Sequence, residues 1–403
     1  MALPELRDPR RSVRQREHLS GLRLSHVGPG GHAGARLVSL GAESGDGLRP
    51  IPPRSAVDRF LSKRETDSTE QTLRSYRDRL MRLVRWLEAE EILNINDVDG
   101  RTLQEYLAHR QESCNKTTLN NEFGTLKKFF EFLVAIEATE PEMPDKVQLL
   151  KPTATADEQT NTEKIAPARA REILAHLERF EYASRDHVVM LLMWRFAFRY
   201  SDLRAIDLRD LSLDGDLKEE RLREIGEEPE NLPDEIGPHL YMVSRPESGT
   251  RLKNHLKSQR VVSLTAEEVQ VLRDYIETKR IDKTDDAGRE PLVTTVQGRP
   301  TDASVRRWMY MMTQPCLIGG CPHDRDTDDC EFLEHGHESG CPSTHSPHRI
   351  RTGAISNMRE QGISVEDVAE RVDATPETVR QHYDFSAEMK RLENRRTQFE
   401  DLQ

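Results

Sequence analysis

Three residues near the C-terminal end of this 403-residue chain have types and spacing suited to phosphoryl transfer: His348, Arg351 and Tyr383. His348 and Arg351 are three apart, so on a helix they project from one face and can meet one phosphate together. Tyr383 lies thirty-two residues beyond Arg351 and follows His382. A tyrosine beside clustered cations has a specific chemical use. Its phenolate can attack a phosphodiester to leave a covalent intermediate, while cationic donors stabilise the charge growing on the non-bridging oxygens. Taken singly, each of these side chains would serve equally well as a surface or capping residue. The segment from Ile363 to His382 also fits a DNA-reading helix-turn-helix.

The elements that must position them can be read from periodicity. Ile363, Val365, Val368, Val372 and Val379 give a helix, turn, helix pattern, with Ala374-Thr375-Pro376-Glu377 as break and restart. Further upstream, Leu240 to Val243 and Arg260 to Leu264 are short β-type runs, and the loop between them carries Lys253 and Lys257. Pro167 to Phe180 forms an amphipathic helix opened by proline, and Val188 to Ala197 is apolar enough to be a buried one. Gly215 to Gly237 is dense in acids and reads as a solvated insertion. Residues 55–150 are helical in pattern: Leu73, Tyr76, Leu80, Leu83, Val84 and Leu87 make one stripe, with Ser68 or Thr69 as its N-cap. Residues 151–165, with Pro152 and several threonines, form the expected linker. Residues 1–54 hold nine arginines and five acids without an apolar period, and read as a disordered arm that either touches DNA or is a passive tail. Residues 386–403 are a polar tail.

Four of the five cysteines, Cys316, Cys321, Cys330 and Cys341, fall within one short stretch just ahead of His348. In a reduced compartment such clustering predicts thiolate coordination of zinc rather than disulfides, with His323, His335, His337 and His345 as alternates. Four thiolates would close the tetrahedron and leave no position for water, so the expected metal is structural and would brace the start of the His348 helix.

The longest apolar run, Val188 to Trp194, is far too short for a membrane span, and no secretory signal opens the sequence; the expected location is cytoplasmic. A net charge of −12 ordinarily opposes nucleic-acid binding. The basic residues are peculiar, however: of 59, only 13 are lysine. This reads as a salt-adapted surface from a hypersaline host, such as a halophilic archaeon. At molar salt the screening length is roughly 3 Å, leaving short bidentate arginine–phosphate contacts as the usable ones.

Ser346 to Ala354, Gly362-Ile363-Ser364 and Pro376 to Tyr383 together resemble the catalytic domain of the tyrosine recombinases, the phage integrase and Xer-like family. Ala197-Phe198-Arg199-Tyr200-Ser201-Asp202-Leu203 resembles the family's first arginine box, with Ala197 in place of its usual glycine. Tyr76 with Trp86, and the run Lys127 to Phe130, are similar to its N-terminal core-binding domain. The resemblance spans about residues 56–385. It implies a mainly α fold: an N-terminal helical, SAM-like DNA clamp at 55–150, then a mixed, mostly helical catalytic domain with a small β-sheet at 166–385, interrupted by the cysteine insertion at 316–341. It also implies a site-specific recombinase or integrase that cuts double-stranded DNA as a homo-oligomer through a 3′-phosphotyrosyl bond, with no catalytic cofactor. By the same resemblance Tyr383 attacks, Arg199, Arg351 and His348 hold the phosphate, and Lys253, or else Lys257, protonates the leaving oxygen. One departure stands out. Ala374 takes the place of the family's third-box histidine, and the neighbouring Asp373 is an acceptor that would repel a phosphate. A non-cutting DNA-binding regulator on the same fold is the alternative.

Overall fold

The structure is a computed structural model that describes residues 50–153, 163–227 and 235–382, with Arg396 beyond them. The arm up to residue 49, most of the linker, Tyr383 and nearly all of the tail lie outside the described residues.

Five helices make the N-terminal unit: α1 Pro53–Arg64, α2 Glu70–Ala89, α3 Gly100–Gln111, α4 Lys116–Ala135 and α5 Met143–Leu150. Side-chain caps start three of them. Thr69 accepts from Thr72 N, Asp99 from Thr102 N and Asn115 from Thr118 N, each satisfying a backbone donor with no partner inside the helix. Leu80, Leu83, Val84 and Leu87 of α2 are buried as the stripe requires, against Phe60, Phe123, Phe129 and Phe130. Phe129 and Phe130 therefore belong to the core, while Lys128 between α2 and α4 donates to the Tyr76 hydroxyl (3.1 Å).

The second unit is organised around one buried helix. Of α7, Arg185–Arg195, every residue from His187 to Trp194 is buried. Around it pack α6 Pro167–Phe180, α8 Tyr200–Ala205, α10 Ala266–Thr278, α11 Asp302–Thr313 and α12 Pro347–Glu360. The near-continuous apolar run of α7 is explained by this position, since a helix surrounded on all sides needs no polar face. A three-stranded antiparallel sheet lies at one side, in the order β1 Leu211–Ser212, β2 His239–Met242, β3 Arg260–Ser263, with Tyr241 opposite Val261. The mainly helical fold with a small sheet is as expected.

The acidic stretch after β1 departs from expectation. It forms a short helix, α9 Glu219–Ile225, that is not merely solvated. Arg221 is fully buried there and is paired with Glu220, Glu224 and Asp210, while Leu222 packs on Tyr241 and Val243. Burial of a guanidinium is tolerated because several carboxylates surround it. Net acidity along the sequence could not reveal that partnership.

Gly353 marks a close approach in the core. A Cβ there would come 2.5 Å from the Ile165 carbonyl oxygen and 2.8 Å from its Cγ2. In an exposed helix, Gly→Ala gains about 1 kcal/mol. Here the obstacle is backbone, held to α12 by a hydrogen bond from Ile165 N to Arg349 O. Gly353→Ala should accordingly lose about 2 kcal/mol, read as a lower urea midpoint at unchanged slope; an unchanged or raised midpoint would contradict this packing.

Candidate active site

The chain leaves α7 through a tight turn. Phe196 and Phe198 are buried and stack at 5.2 Å, and Ala197 between them is left-handed, φ 48°. Anchoring both rings sends Arg199 out at the start of α8 and aims the Ala197 carbonyl at α12. Arg351, only 4% exposed, donates to that carbonyl through Nη1 and to the Val372 carbonyl through Nη2 (2.7 Å). Arg199 is bound to the next residue along. Its Nη1 meets the Asp373 carboxylate and its Nη2 the Asp373 carbonyl (2.6 Å). Val372 ends α13, Val365–Val372, and Asp373 caps it in a left-handed conformation, φ 53°. The two arginines, from opposite ends of the unit's sequence, are thus fixed by the same two turns.

These groups line a cleft of about 1160 Å³. Its wall is mostly cationic: Arg199, Arg351, Arg204, Arg251 and Arg306 with Lys253 and Lys257, against two carboxylates, Asp302 and Asp373. His348, exposed on the first turn of α12, reaches the same cleft, as do Thr69, Gln71 and Thr72 from the start of α2 in the N-terminal unit. Both loop lysines line the cleft, and Lys253 sits in its cationic field. Partial desolvation, then the Arg199 and Arg351 guanidiniums, hold its ammonium below the ordinary lysine range.

Supporting residues emerge that sequence reading did not assign. Asp202, fully buried, accepts from Arg199 N (3.3 Å) and from Arg260 Nη2 (3.4 Å). Arg260 also donates to the Ser258 and Arg371 carbonyls, tying β3 to α13. Ser258 donates to the Asp373 carboxylate (2.7 Å). The only sequence signal was the Ser201-Asp202-Leu203 text beside Arg199. Asp373 itself, set aside as a repulsive acceptor, turns out to be the direct partner of Arg199. Ala374 packs half-buried against the core and supplies no donor.

Among the described residues, helix α14 Pro376–His382 runs up to the residue before Tyr383, which itself lies outside them. Its first turn contributes to the cleft wall through Thr375 and Thr378.

The four cysteines expected to form a metal knot, Cys316, Cys321, Cys330 and Cys341, all lie among the described residues. Among the described residues, no group of three or more His, Cys, Asp or Glu is arranged to hold a metal ion. Cys316 and Cys321 thiols approach each other, and the Cys321 thiol is lowered by the backbone N–H groups of His323 and Arg325. Cys341 is buried and Cys330 half-buried. His323 is engaged with Ser343 (2.9 Å).

Comparison with known proteins bears on the whole arrangement. Residues 57–137 match the phage integrase, N-terminal SAM-like domain. Sequence and fold both liken the chain to the tyrosine recombinases. Tyrosine recombinase XerC of Staphylococcus epidermidis is 27% identical over 161 residues, which is 38% of this chain and 51% of that protein; XerC of Staphylococcus aureus is 28% identical over 163 residues. The chain spans about half the length of these curated relatives. In three dimensions it is similar to the Tn1549 transposon integrase, solved in complex with transposon right end DNA: TM-score 0.56, 13% identity, covering 87% of this chain and 99% of that one. A λ integrase tetramer bound to a Holliday junction gives TM-score 0.52 at 14% identity, covering 85% and 77%. At such identities these two likenesses speak to the fold alone. No helix among the described residues is long and apolar enough to cross a membrane.

Proposed function

We propose that the protein is a site-specific DNA recombinase or integrase that cuts and rejoins strands through a 3′-phosphotyrosyl intermediate. The observation that carries this reading is the cleft: on a chain of net charge −12, it gathers seven Arg and Lys side chains and a histidine against two carboxylates. In the proposed reaction Tyr383 loses its phenol proton to solvent and its oxygen bonds to the scissile phosphorus while the P–O5′ bond breaks. Lys253 gives its proton to the departing 5′-oxygen. Arg199, Arg351 and His348 neutralise the five-coordinate state, where preorganised donors act without reorganising. The phosphotyrosyl bond then retains the energy needed for rejoining, so no nucleotide is consumed. Double-stranded DNA is the proposed partner, engaged by a homo-oligomer in the cytoplasm, with the N-terminal SAM-like domain clamping the duplex.

A nicked suicide duplex tests this directly, because loss of the short strand traps the covalent stage. The expected result is an adduct that survives denaturation and maps by mass spectrometry to the Tyr383 peptide. Stable DNA binding without any adduct would favour a non-cutting regulator, the reading that Ala374 and the occupied Arg199 keep in contention.

The lowered Lys253 carries its own pH dependence. Proton donation requires the charged form, so single-turnover cleavage should fall as pH rises through a value below the ordinary 10.5. In Lys253→Ala that limb should vanish along with most of the rate, and a 5′-bridging thiolate leaving group, which needs no proton, should restore it. The same limb surviving in Lys253→Ala would transfer the role to Lys257. Salt adaptation is proposed as well: stability and cleavage should be greater in molar potassium chloride than in dilute buffer, and the reverse order would refute it. A structural zinc at Cys316, Cys321, Cys330 and Cys341 is proposed too: elemental analysis of the purified chain should find zinc that is lost in Cys316→Ser with Cys341→Ser, and a zinc-free parent chain would refute it.

A further inference from the structure

The Arg199–Asp373 pair sits where the proposed chemistry needs a phosphate. Arg199 and Asp373 are 18% and 9% exposed at the cleft wall, so the contact is sheltered but reachable. One oxygen of Asp373 receives both Arg199 Nη1 and Ser258 Oγ, and the residue's own carbonyl receives Arg199 Nη2. One carboxylate oxygen thus occupies one prong of the guanidinium fork, where an oxoanion oxygen could sit, and the backbone carbonyl occupies the other. The backbone makes this placement possible. At φ 53° and ψ 63° an ordinary side chain is disfavoured, whereas Gly, Asn and Asp are tolerated. Lys253 and Arg351 line the same cleft as this pair.

We infer that Asp373 is a displaceable occupant of the Arg199 phosphate seat, so that the cleft takes up a phosphate by exchanging it for this carboxylate. The link from Arg199 Nη2 to the Asp373 carbonyl involves no side-chain oxygen of Asp373 and can persist through the exchange, keeping Arg199 oriented, while Ser258 retains a hydrogen bond to the displaced carboxylate or releases it. This rests on the phosphate-binding part of the proposed function and not on strand cutting.

Inorganic phosphate binding to the full chain, measured calorimetrically at constant ionic strength against chloride, provides the test. Asp373→Asn and Asp373→Gly both accept the left-handed backbone, so at least one should fold with an unaltered melting profile. Freed of a charged competitor, each should bind phosphate about tenfold more tightly than the parent, the scale of one hydrogen bond to a charged group. The gain should disappear when Arg199→Ala is added. Phosphate affinity that is undetected, unchanged or weaker in both variants would show that the carboxylate orients Arg199 rather than occupying its seat, and overturn the exchange. A gain that persists without Arg199 would overturn it too, as mere loss of local negative charge. The suicide-duplex assay on the same variants reads separately: absence of adduct throughout would sink strand cutting while the phosphate result stood.

Discussion

Tyr383→Phe should bind duplex DNA like the parent chain and form no covalent adduct, a loss of at least about 10³-fold in single-turnover cleavage. A phenyl ring has no oxygen with which to bond phosphorus, so no partial activity survives by that route. The cationic cleft is untouched by the change, which is why binding should persist. Gel-shift affinity and adduct yield, measured on one suicide duplex, separate the two effects. An adduct of normal yield in Tyr383→Phe would move the nucleophile elsewhere and undo the assignment.

Arg351→Ala should fail differently, in chemistry and in stability together. Loss of one preorganised donor to a developing oxyanion typically costs about 3 kcal/mol, or roughly 10²-fold in rate. Arg351 also satisfies the carbonyls of Ala197 and Val372 inside the protein. Truncation leaves both acceptors without that partner, each worth about 1–3 kcal/mol when left unmade. The expected outcome is slow single-turnover cleavage and a clearly lower urea midpoint. Arg351→Lys should recover little of either, because a single ammonium cannot span two carbonyls with the planar fork that guanidinium provides. Cleavage at the parent rate by Arg351→Ala would refute its role.

Much of the architecture could be read without coordinates because it depends on near neighbours in the chain. Thr69 capping α2, the proline opening α6, the apolar run of α7 and the two β-runs flanking Lys253 each depend on periodicity or on groups a few residues apart. His348 and Arg351 share a helix turn for the same reason. The environment of Lys253 could not be read, since it is made by two guanidiniums from other elements. The placement of the cysteines was also hidden: spacing constrains which thiols can meet, not which directions the intervening turns aim them.

By itself, the sequence determined the inventory of this protein: two arginines, two candidate lysines, a histidine and a tyrosine, on helices whose stripes and caps are local properties of the chain. Tertiary structure alone decided what those side chains do to one another. Arg199 and Asp373 are 174 residues apart, and Arg351 and Ala197 154 apart. Contacts at such separations leave no periodic trace, because they arise when the core packs around α7 and brings two left-handed turns together. Asp373 shows the difference most plainly. Its residue type foretold repulsion of a phosphate, but only the folded chain could show that it already holds the guanidinium a phosphate would need.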